Sequence, residues 1–389
     1  MGEVLEAVAD PANLALAWTK VRANAGAAGV DAQTVAAFAV DADHQLASLR
    51  RRLLSPERYV PPPVRRVDIP KPDGRTRPLG IPTVADRVVQ QAVVQVIGPG
   101  FEAIFTPSSF GYRPGRSASD AVGWVRKAIR SGDRWVAEFD IVGFFDNLRH
   151  ARLLREVAKV VDDAEVIGLI RRWLRAGVLT EAGLQARSAG TPQGGVISPL
   201  LANIYLHRLD VEVRAAGFRL IRYADDCVVL ADRRWKVEAA DRLVRAVLAD
   251  IGLEVAEAKS GIVKTNAGFD FLGFSFSGRF LRPRPRALKG FKDGVRALTP
   301  RKAPCSLAQT IQRLNPLLRG WGGYFGRADV ISLFGELDKW IRMRLRSQAR
   351  KRFKSKGGRD NHRWPNRLFD DYGLVRLEHL ARTLSFSPA

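Results

Sequence analysis

Two adjacent acids, Asp225 and Asp226, sit in the tetrad Tyr223-Ala224-Asp225-Asp226 between two apolar runs, Phe218 to Arg222 and Cys227 to Ala231. The runs read as the arms of a short β-hairpin with the acids at its tip. Neighbouring carboxylates repel and are costly to desolvate, so a packed hairpin should avoid them unless a cation neutralises both, and a divalent metal is the natural one. An acidic turn also has an ordinary explanation, because Asp tolerates tight turns and is well solvated. A third acid shifts the balance. Trp135 to Ile141 reads as a strand that delivers Asp140 just ahead of Gly143-Phe144-Phe145-Asp146-Asn147, 85 residues before Asp225. An Asp at one strand end and a second acid on a neighbouring hairpin match the needs of two-metal phosphoryl transfer, in which ions roughly 3.5–4 Å apart take hard oxygen ligands from rigid elements.

The chain around these acids is long enough to position them. Its 389 residues are 46% hydrophobic and 26% charged, which suits a folded protein of two or three domains. No run of about 18 apolar residues spans a bilayer, and the acidic start Met1 to Glu6 lacks the form of a secretory signal, so a cytoplasmic protein without membrane attachment is expected. Cys227 and Cys305 are too few for a disulfide framework or a four-thiolate zinc site. The net charge is +23, and residues after Gly278 hold 26 Lys/Arg against eight Asp/Glu. A surplus so concentrated points to a polyanionic partner, nucleic acid above all.

Local pattern supplies the supporting elements. Helices are expected over Asn13 to Asn24 and Val35 to Leu54, followed by the stiff connector Pro61-Pro62-Pro63. Pro72-Asp73-Gly74 turns between two strand-like runs and sets Lys71, Arg75 and Arg77 near a cationic tip suited to a triphosphate. Asp86 is expected to cap a helix that closes at Gly98-Pro99-Gly100. The loop Phe110 to Ser117, with Arg113 and Arg116 among aromatics and glycines, suits a nucleic-acid backbone. Helices over Ala118 to Ser131, Leu200 to Val213 and Trp235 to Ile251 complete an α+β domain with helices on one face of an antiparallel sheet.

Beyond Gly278, Arg282-Pro283-Arg284-Pro285-Arg286 reads as an extended basic linker. Helices then follow over Ser306 to Arg319 and Val330 to Arg352, the second carrying Arg342, Arg344, Arg346, Arg350, Lys351 and Arg352. Trp321, Tyr324 and Trp340 either form the core of this basic bundle or stack on bases, and the run Lys351 to Arg359 favours RNA contact.

Phe139 to Asp146, Gly190-Thr191-Pro192-Gln193-Gly194-Gly195-Val196-Ile197-Ser198-Pro199 and the Tyr223 tetrad, in that order, resemble the palm motifs of reverse transcriptases. More narrowly, the chain is similar to the reverse transcriptase/maturase proteins of bacterial group II introns. The loop Gly26 to Asp31, Arg113 to Ser117, Gly252 to Ser260 and Phe269 to Phe274 resemble further blocks of that family, and Leu314 to Phe325 with Phe334 to Arg342 resembles its thumb or maturase region.

The resemblance implies a right-hand polymerase: an N-terminal helical extension over 1–62, fingers and palm over 63–278, and a basic helical thumb/maturase domain over 279–389. It implies that Asp140, Asp225 and Asp226 are catalytic and hold two Mg²⁺, with Mn²⁺ as an alternative, and that Ile141 belongs to the same metal site. Lys71, Arg77, Phe145, Gln193 and Lys259 would contact the dNTP, Phe145 by excluding a 2′-hydroxyl. Arg113, Arg116, Arg342, Arg346, Arg350, Lys351 and Arg352 would contact nucleic acid. The implied partners are an RNA template with a DNA or RNA primer, dNTPs and group II intron RNA, and the oligomeric state stays open, a homodimer included. The metal-dependent endonuclease of some relatives, with its paired cysteines and histidines, is not expected here. Two other readings stand beside splicing and retrohoming: a domesticated polymerase outside any intron, in phage defence or repair, and a polymerase-inactive RNA-binding splicing factor, which three retained acids argue against.

Overall fold

In the computed structural model, residues 2–70, 74, 76–186, 188–302, 304–352 and 362–384 are described, and the chain divides into two units. Met1–Ala121 with Val136–Ile262 form the first, and Val122–Trp135 with Val263–Ala389 the second. These units fall elsewhere than divisions at residues 62 and 278.

The first unit begins with α1 (Glu3–Val8) and α2 (Pro11–Ala23). Pro11 presets the first turn of α2, and the Asp10 carboxylate accepts from the Ala12 and Asn13 amides, a cap worth about 1 kcal/mol. The single helix expected from Val35 to Leu54 is instead two, α3 (Val35–Val40) and α4 (Ala42–Leu54), broken at Asp41, which takes φ −134°. The short α3 is held by Phe38, buried with its ring 4.6 Å from Trp18, and α4 by buried Leu49 and Leu53.

β1 (Val64–Pro70) and β2 (Thr76–Ile81) form the expected antiparallel hairpin, in register from Arg65 opposite Ile81 to Pro70 opposite Thr76. Next comes α5 (Val84–Ile104), capped by Thr83 rather than Asp86: the Thr83 hydroxyl accepts from the Asp86 amide. It continues through Pro99, where the sequence suggested an end. Proline removes one helical hydrogen bond, but the ring of Pro99 lies on the exposed side of the helix, and buried Ile97 and Phe101 anchor the helix on either side.

The chain then passes along α6 (Ala118–Arg130) into the second unit and returns through β3 (Trp135–Phe139). A 3₁₀ turn (Phe144–Asp146), α7 (His150–Ala158), α8 (Ala164–Arg175), β4 (Val178–Thr180) and β5 (Gly183–Gln185) follow. β4 pairs with β1, giving a sheet ordered β2-β1-β4-β5. After α9 (Ser198–Ala215) come β6 (Arg219–Tyr223), β7 (Asp226–Ala231), α10 (Arg234–Asp250), a 3₁₀ turn (Glu257–Lys259) and β8 (Gly261–Lys264). The central sheet is ordered β6-β7-β3-β8. α9 packs on β6 and α10 on β7, and Leu201, Leu206, Leu209, Val228, Val229, Val244 and Leu248 are buried there.

The second unit holds an antiparallel sheet of β9 (Phe269–Phe271), β10 (Phe274–Ser277) and β11 (Phe280–Pro283). The stretch Arg282 to Arg286 is not a linker. β11 ends in it, and α11 (Pro285–Leu298) starts with Pro285 at its first position, where the missing N–H costs nothing. α12 (Leu307–Phe325), α13 (Ile331–Arg352), α14 (Asn366–Asp371) and α15 (Leu377–Leu384) complete the unit. Trp321 belongs to the core, its ring 4.1 Å from Phe291 and 5.4 Å from Phe334. Among the described residues no helix is long and apolar enough to cross a membrane.

Candidate active site

β6 and β7 pair up to Tyr223 opposite Asp226, leaving Ala224 and Asp225 as the turn. Ala224 takes φ 57°, a left-handed conformation that costs an L residue about 1–2 kcal/mol and that hairpin turns usually give to glycine. Neighbouring backbone fits closely around it. The Arg222 amide donates to the Ser108 carbonyl and the Phe110 amide to the Arg222 carbonyl, both at 2.9 Å. Gly111 lies so near the turn that a Cβ there would come within 2.4 Å of the Ala224 nitrogen.

Asp225 is half-buried and Asp226 exposed. Burial pushes the Asp225 carboxyl above its usual range, the Arg77 guanidinium pulls it down, and the charge of Asp140 pushes it up again. The Asp140 charge therefore reaches Asp225 although 85 residues of sequence separate them. Asp140 follows β3 and is fixed by its backbone: its carbonyl accepts from the Ala256 amide (2.7 Å) and its amide donates to the Ser260 hydroxyl (3.1 Å). Ile141, which has only its carbonyl to offer a metal, is buried and bridges to Val255. The Asp140 carboxylate accepts from the Lys259 ammonium at 2.6 Å.

Among the described residues no three His, Cys, Asp or Glu side chains are gathered into a metal site. The donors nevertheless suit Mg²⁺, which is usually held by one or two carboxylates plus substrate phosphates rather than by an all-protein cage. Asp140 and Asp225 supply hard oxygens that repel one another, and the Lys259 ammonium on Asp140 stands where a cation is favoured.

The segment Gly190 to Ser198 joins this region to β2. The Thr191 amide donates to the Phe145 carbonyl (2.8 Å) and the Gly80 amide to the Gln193 carbonyl (2.7 Å). Gly194 takes φ 112°, and a Cβ there would lie 2.8 Å from the Gly80 oxygen, so only glycine fits. Phe145 is buried with its ring edge-on to Phe144. Arg77 is exposed on β2, and Lys71 lies outside the described residues.

Several expected nucleic-acid contacts turn out to be internal. The Arg113 guanidinium is buried, donating to the Glu102 carboxylate and to the Thr106 and Ser109 carbonyls, so it has no face left for a phosphate. Arg342 is likewise buried, 3.4 Å from Asp370. Arg346 is half-buried and donates to the Trp364 carbonyl and the Asn366 side chain. Arg116 donates to the Pro107 carbonyl, Arg350 is half-buried, and Lys351 and Arg352 are exposed, Arg352 donating to the Cys305 carbonyl. Residues 353–359 of the basic run lie outside the described residues.

Two buried groups escaped the sequence reading. Arg222 has no exposure and pairs with equally buried Asp210 at 2.6 Å. Their signal was a charge inside apolar runs, Leu220-Ile221 before Arg222 and Leu209 and Val211 around Asp210. The second is the burial of Asp86, expected only as a helix cap: it accepts from Trp173 Nε1 (2.7 Å), Tyr59 Oη (3.2 Å) and Gln90 Nε2 (2.8 Å), while Gln90 Oε1 accepts from the Ile197 amide (3.3 Å). Burial still pushes the Asp86 carboxyl up to about 6.

Comparison with known proteins gives the chain a family. A family model described as reverse transcriptase (RNA-dependent DNA polymerase) matches residues 69–276, and one described as group II intron, maturase-specific domain matches residues 288–367. Protein YkfC of Escherichia coli K12 is 34% identical over 281 residues, 62% of this chain and 72% of that protein. Group II intron-encoded protein LtrA of Lactococcus lactis subsp. cremoris is 42% identical over 153 residues, 39% of this chain but only 25% of LtrA. A telomerase structure from Candida albicans aligns over 81% of this chain and 64% of its own, at 12% identity and a TM-score of 0.48.

Proposed function

We propose, for a chain that belongs to the reverse transcriptase family and carries a group II intron maturase-specific domain, that it extends a primer 3′-hydroxyl with dNTPs on an RNA template. The observation that carries this reading is the placement of two acids from separate elements on neighbouring strands of the central sheet: Asp140 follows β3, and Asp225 sits in the turn that leads into β7 beside it. Asp140 and Asp225, with Asp226 and the Ile141 carbonyl beside them, would hold the divalent ions. When bound, those ions supply charge neutralisation at the phosphoryl oxygens and lower the pKa of the attacking hydroxyl.

The remaining work falls to the chain's own residues. The primer oxygen bonds to the α-phosphorus, the bond to pyrophosphate breaks, and the hydroxyl proton leaves to solvent. Arg77 would grip the triphosphate, joined by Lys71; Gln193 would contact the base pair being formed, and Phe145 would stand against the sugar. Lys259, freed from Asp140, would be available to the leaving pyrophosphate. The exposed Lys351 and Arg352 of α13, with Arg116 and Arg350, would meet phosphates of the hybrid or of structured RNA.

The maturase-specific match supports a second role in the same chain, binding group II intron RNA to assist splicing and retrohoming. Elongation of a labelled primer on an RNA template with Mg²⁺ and dNTPs tests the polymerase. Protection of an intron transcript from cleavage, absent with an unrelated RNA of equal length, tests the second role.

A further inference from the structure

We infer that Arg222, fixed by Asp210, Asn203 and Ser109, is a positioning residue that holds the Ala224–Asp225 turn in its reactive shape. The inference rests on the polymerase reading.

The turn does not hold itself. Ala224 has the wrong side chain for φ 57°, and a two-residue loop with an unfavourable conformation relaxes unless its surroundings fix it. Beside the backbone packed around it, one guanidinium bonds the turn directly. Arg222 Nη1 donates to the Ala224 carbonyl at 2.9 Å, the direct bond between this network and the turn. Its other donors are all engaged: Nε to Asp210 Oδ1 (2.7 Å), Nη2 to Asp210 Oδ2 (2.6 Å) and to the Ser109 hydroxyl (2.8 Å), and Nη1 to Asn203 Oδ1 (3.0 Å).

These partners come from two further stretches of chain. Asp210 and Asn203 lie on α9, and Ser109 belongs to the segment beside β6. Asn203 also donates to the Gly111 carbonyl (2.8 Å), so the glycine pressed against Ala224 is tied to the same helix. A planar fork with five fixed donors sets an orientation that a flexible ammonium cannot.

Stability alone does not account for this arrangement. Arg222 and Asp210 are fully buried, and a buried ion pair can often be replaced by apolar side chains of similar volume without loss of stability. What the replacement cannot supply is the bond to the Ala224 carbonyl. A displacement of catalytic groups of about 1 Å can cost about 100-fold in rate, and Asp225 is the next residue along.

The test compares wild type with Arg222→Met/Asp210→Leu, which removes both buried charges, and with Ser109→Ala, which deletes one bond to the fork. Thermal unfolding, RNA–DNA hybrid binding and steady-state extension are measured for each. The expected result is a double variant that binds hybrid as wild type does, with the KM for dNTP within about threefold and kcat lower by about 100-fold. Ser109→Ala, which leaves one buried Nη2 hydrogen unpaired, should stay folded with a lower unfolding midpoint than wild type, and lose about three- to tenfold in kcat with KM unchanged. Wild-type kcat in Ser109→Ala, or in a folded double variant, overturns the inference while leaving the polymerase reading intact. Absence of extension by folded wild type overturns both.

Discussion

The Lys259 ammonium lies 2.6 Å from Asp140 Oδ2, so the carboxylate delivered by β3 is already paired with a cation from its own chain. The two side chains are 57% and 34% exposed, which limits the pair to about 0.2–1 kcal/mol. A divalent ion held by Asp140 would compete with that ammonium. In Lys259→Met it need not, and the Mg²⁺ concentration for half-maximal extension should fall about two- to fivefold. The maximal rate should fall about tenfold or more, because the leaving pyrophosphate loses a charge partner. A Mg²⁺ titration of extension reads both, and an unchanged half-saturation point argues against competition.

Arg77 is the described cation on the β-hairpin whose charge reaches Asp225. Charge-assisted contacts to a triphosphate are worth about 1.5–3 kcal/mol, so Arg77→Ala should raise the KM for dNTP by about tenfold or more and change hybrid affinity little. Initial rates across a dNTP series check this. Equal losses in hybrid binding and dNTP use would instead place Arg77 on the template.

Asp86 predicts a pH dependence of stability. Its carboxyl is raised by burial from the ordinary carboxylate range to about 6, so the folded chain binds the proton more tightly than the unfolded chain does. Stability from this group is therefore present at low pH and lost as pH rises from about 4 to about 6, by roughly 2–3 kcal/mol, and flat above. Asp86→Asn lacks that slope. Denaturant unfolding of both proteins from pH 4 to pH 8 should show wild type losing ground to the variant across the lower half of the range, and a constant difference throughout would contradict the assignment.

Arg113 and the pair Lys351 and Arg352 should separate cleanly. Arg113→Ala leaves Glu102 unpaired and deserts two carbonyls, so it should cost about 2–4 kcal/mol of stability and leave the salt dependence of hybrid binding unchanged. Lys351→Ala/Arg352→Ala should do the reverse, lowering the slope of log K against log salt by about 1–2 with little effect on unfolding.

These contrasts also show what could be read from residues alone. The hairpin and the strand before Asp140 were legible because short apolar runs are local, and acids at strand ends are conspicuous. Arg113 looked like a phosphate contact because Glu102 and the Thr106 and Ser109 carbonyls come together only in the folded loop. Arg222 showed only as a charge beside an apolar run, and its role stayed hidden for the same reason, since Ser109 lies 113 residues from it. Proline misled twice. α5 runs through Pro99 because buried Ile97 and Phe101 outweigh one missing bond, and Pro285 opens a helix in a stretch that resembles a linker.

The central claim is that Asp225 acts in phosphoryl transfer rather than in folding or RNA binding. Primer extension on an RNA template with Mg²⁺ and dNTPs, wild type against Asp225→Asn, with hybrid affinity measured for both, tests it most directly. The account predicts extension by wild type, a loss of about 10³-fold or more in the variant, and hybrid affinities within about threefold of one another. Extension by Asp225→Asn at a rate close to wild type, or a well-folded wild type that binds the hybrid and does not extend it, would contradict it.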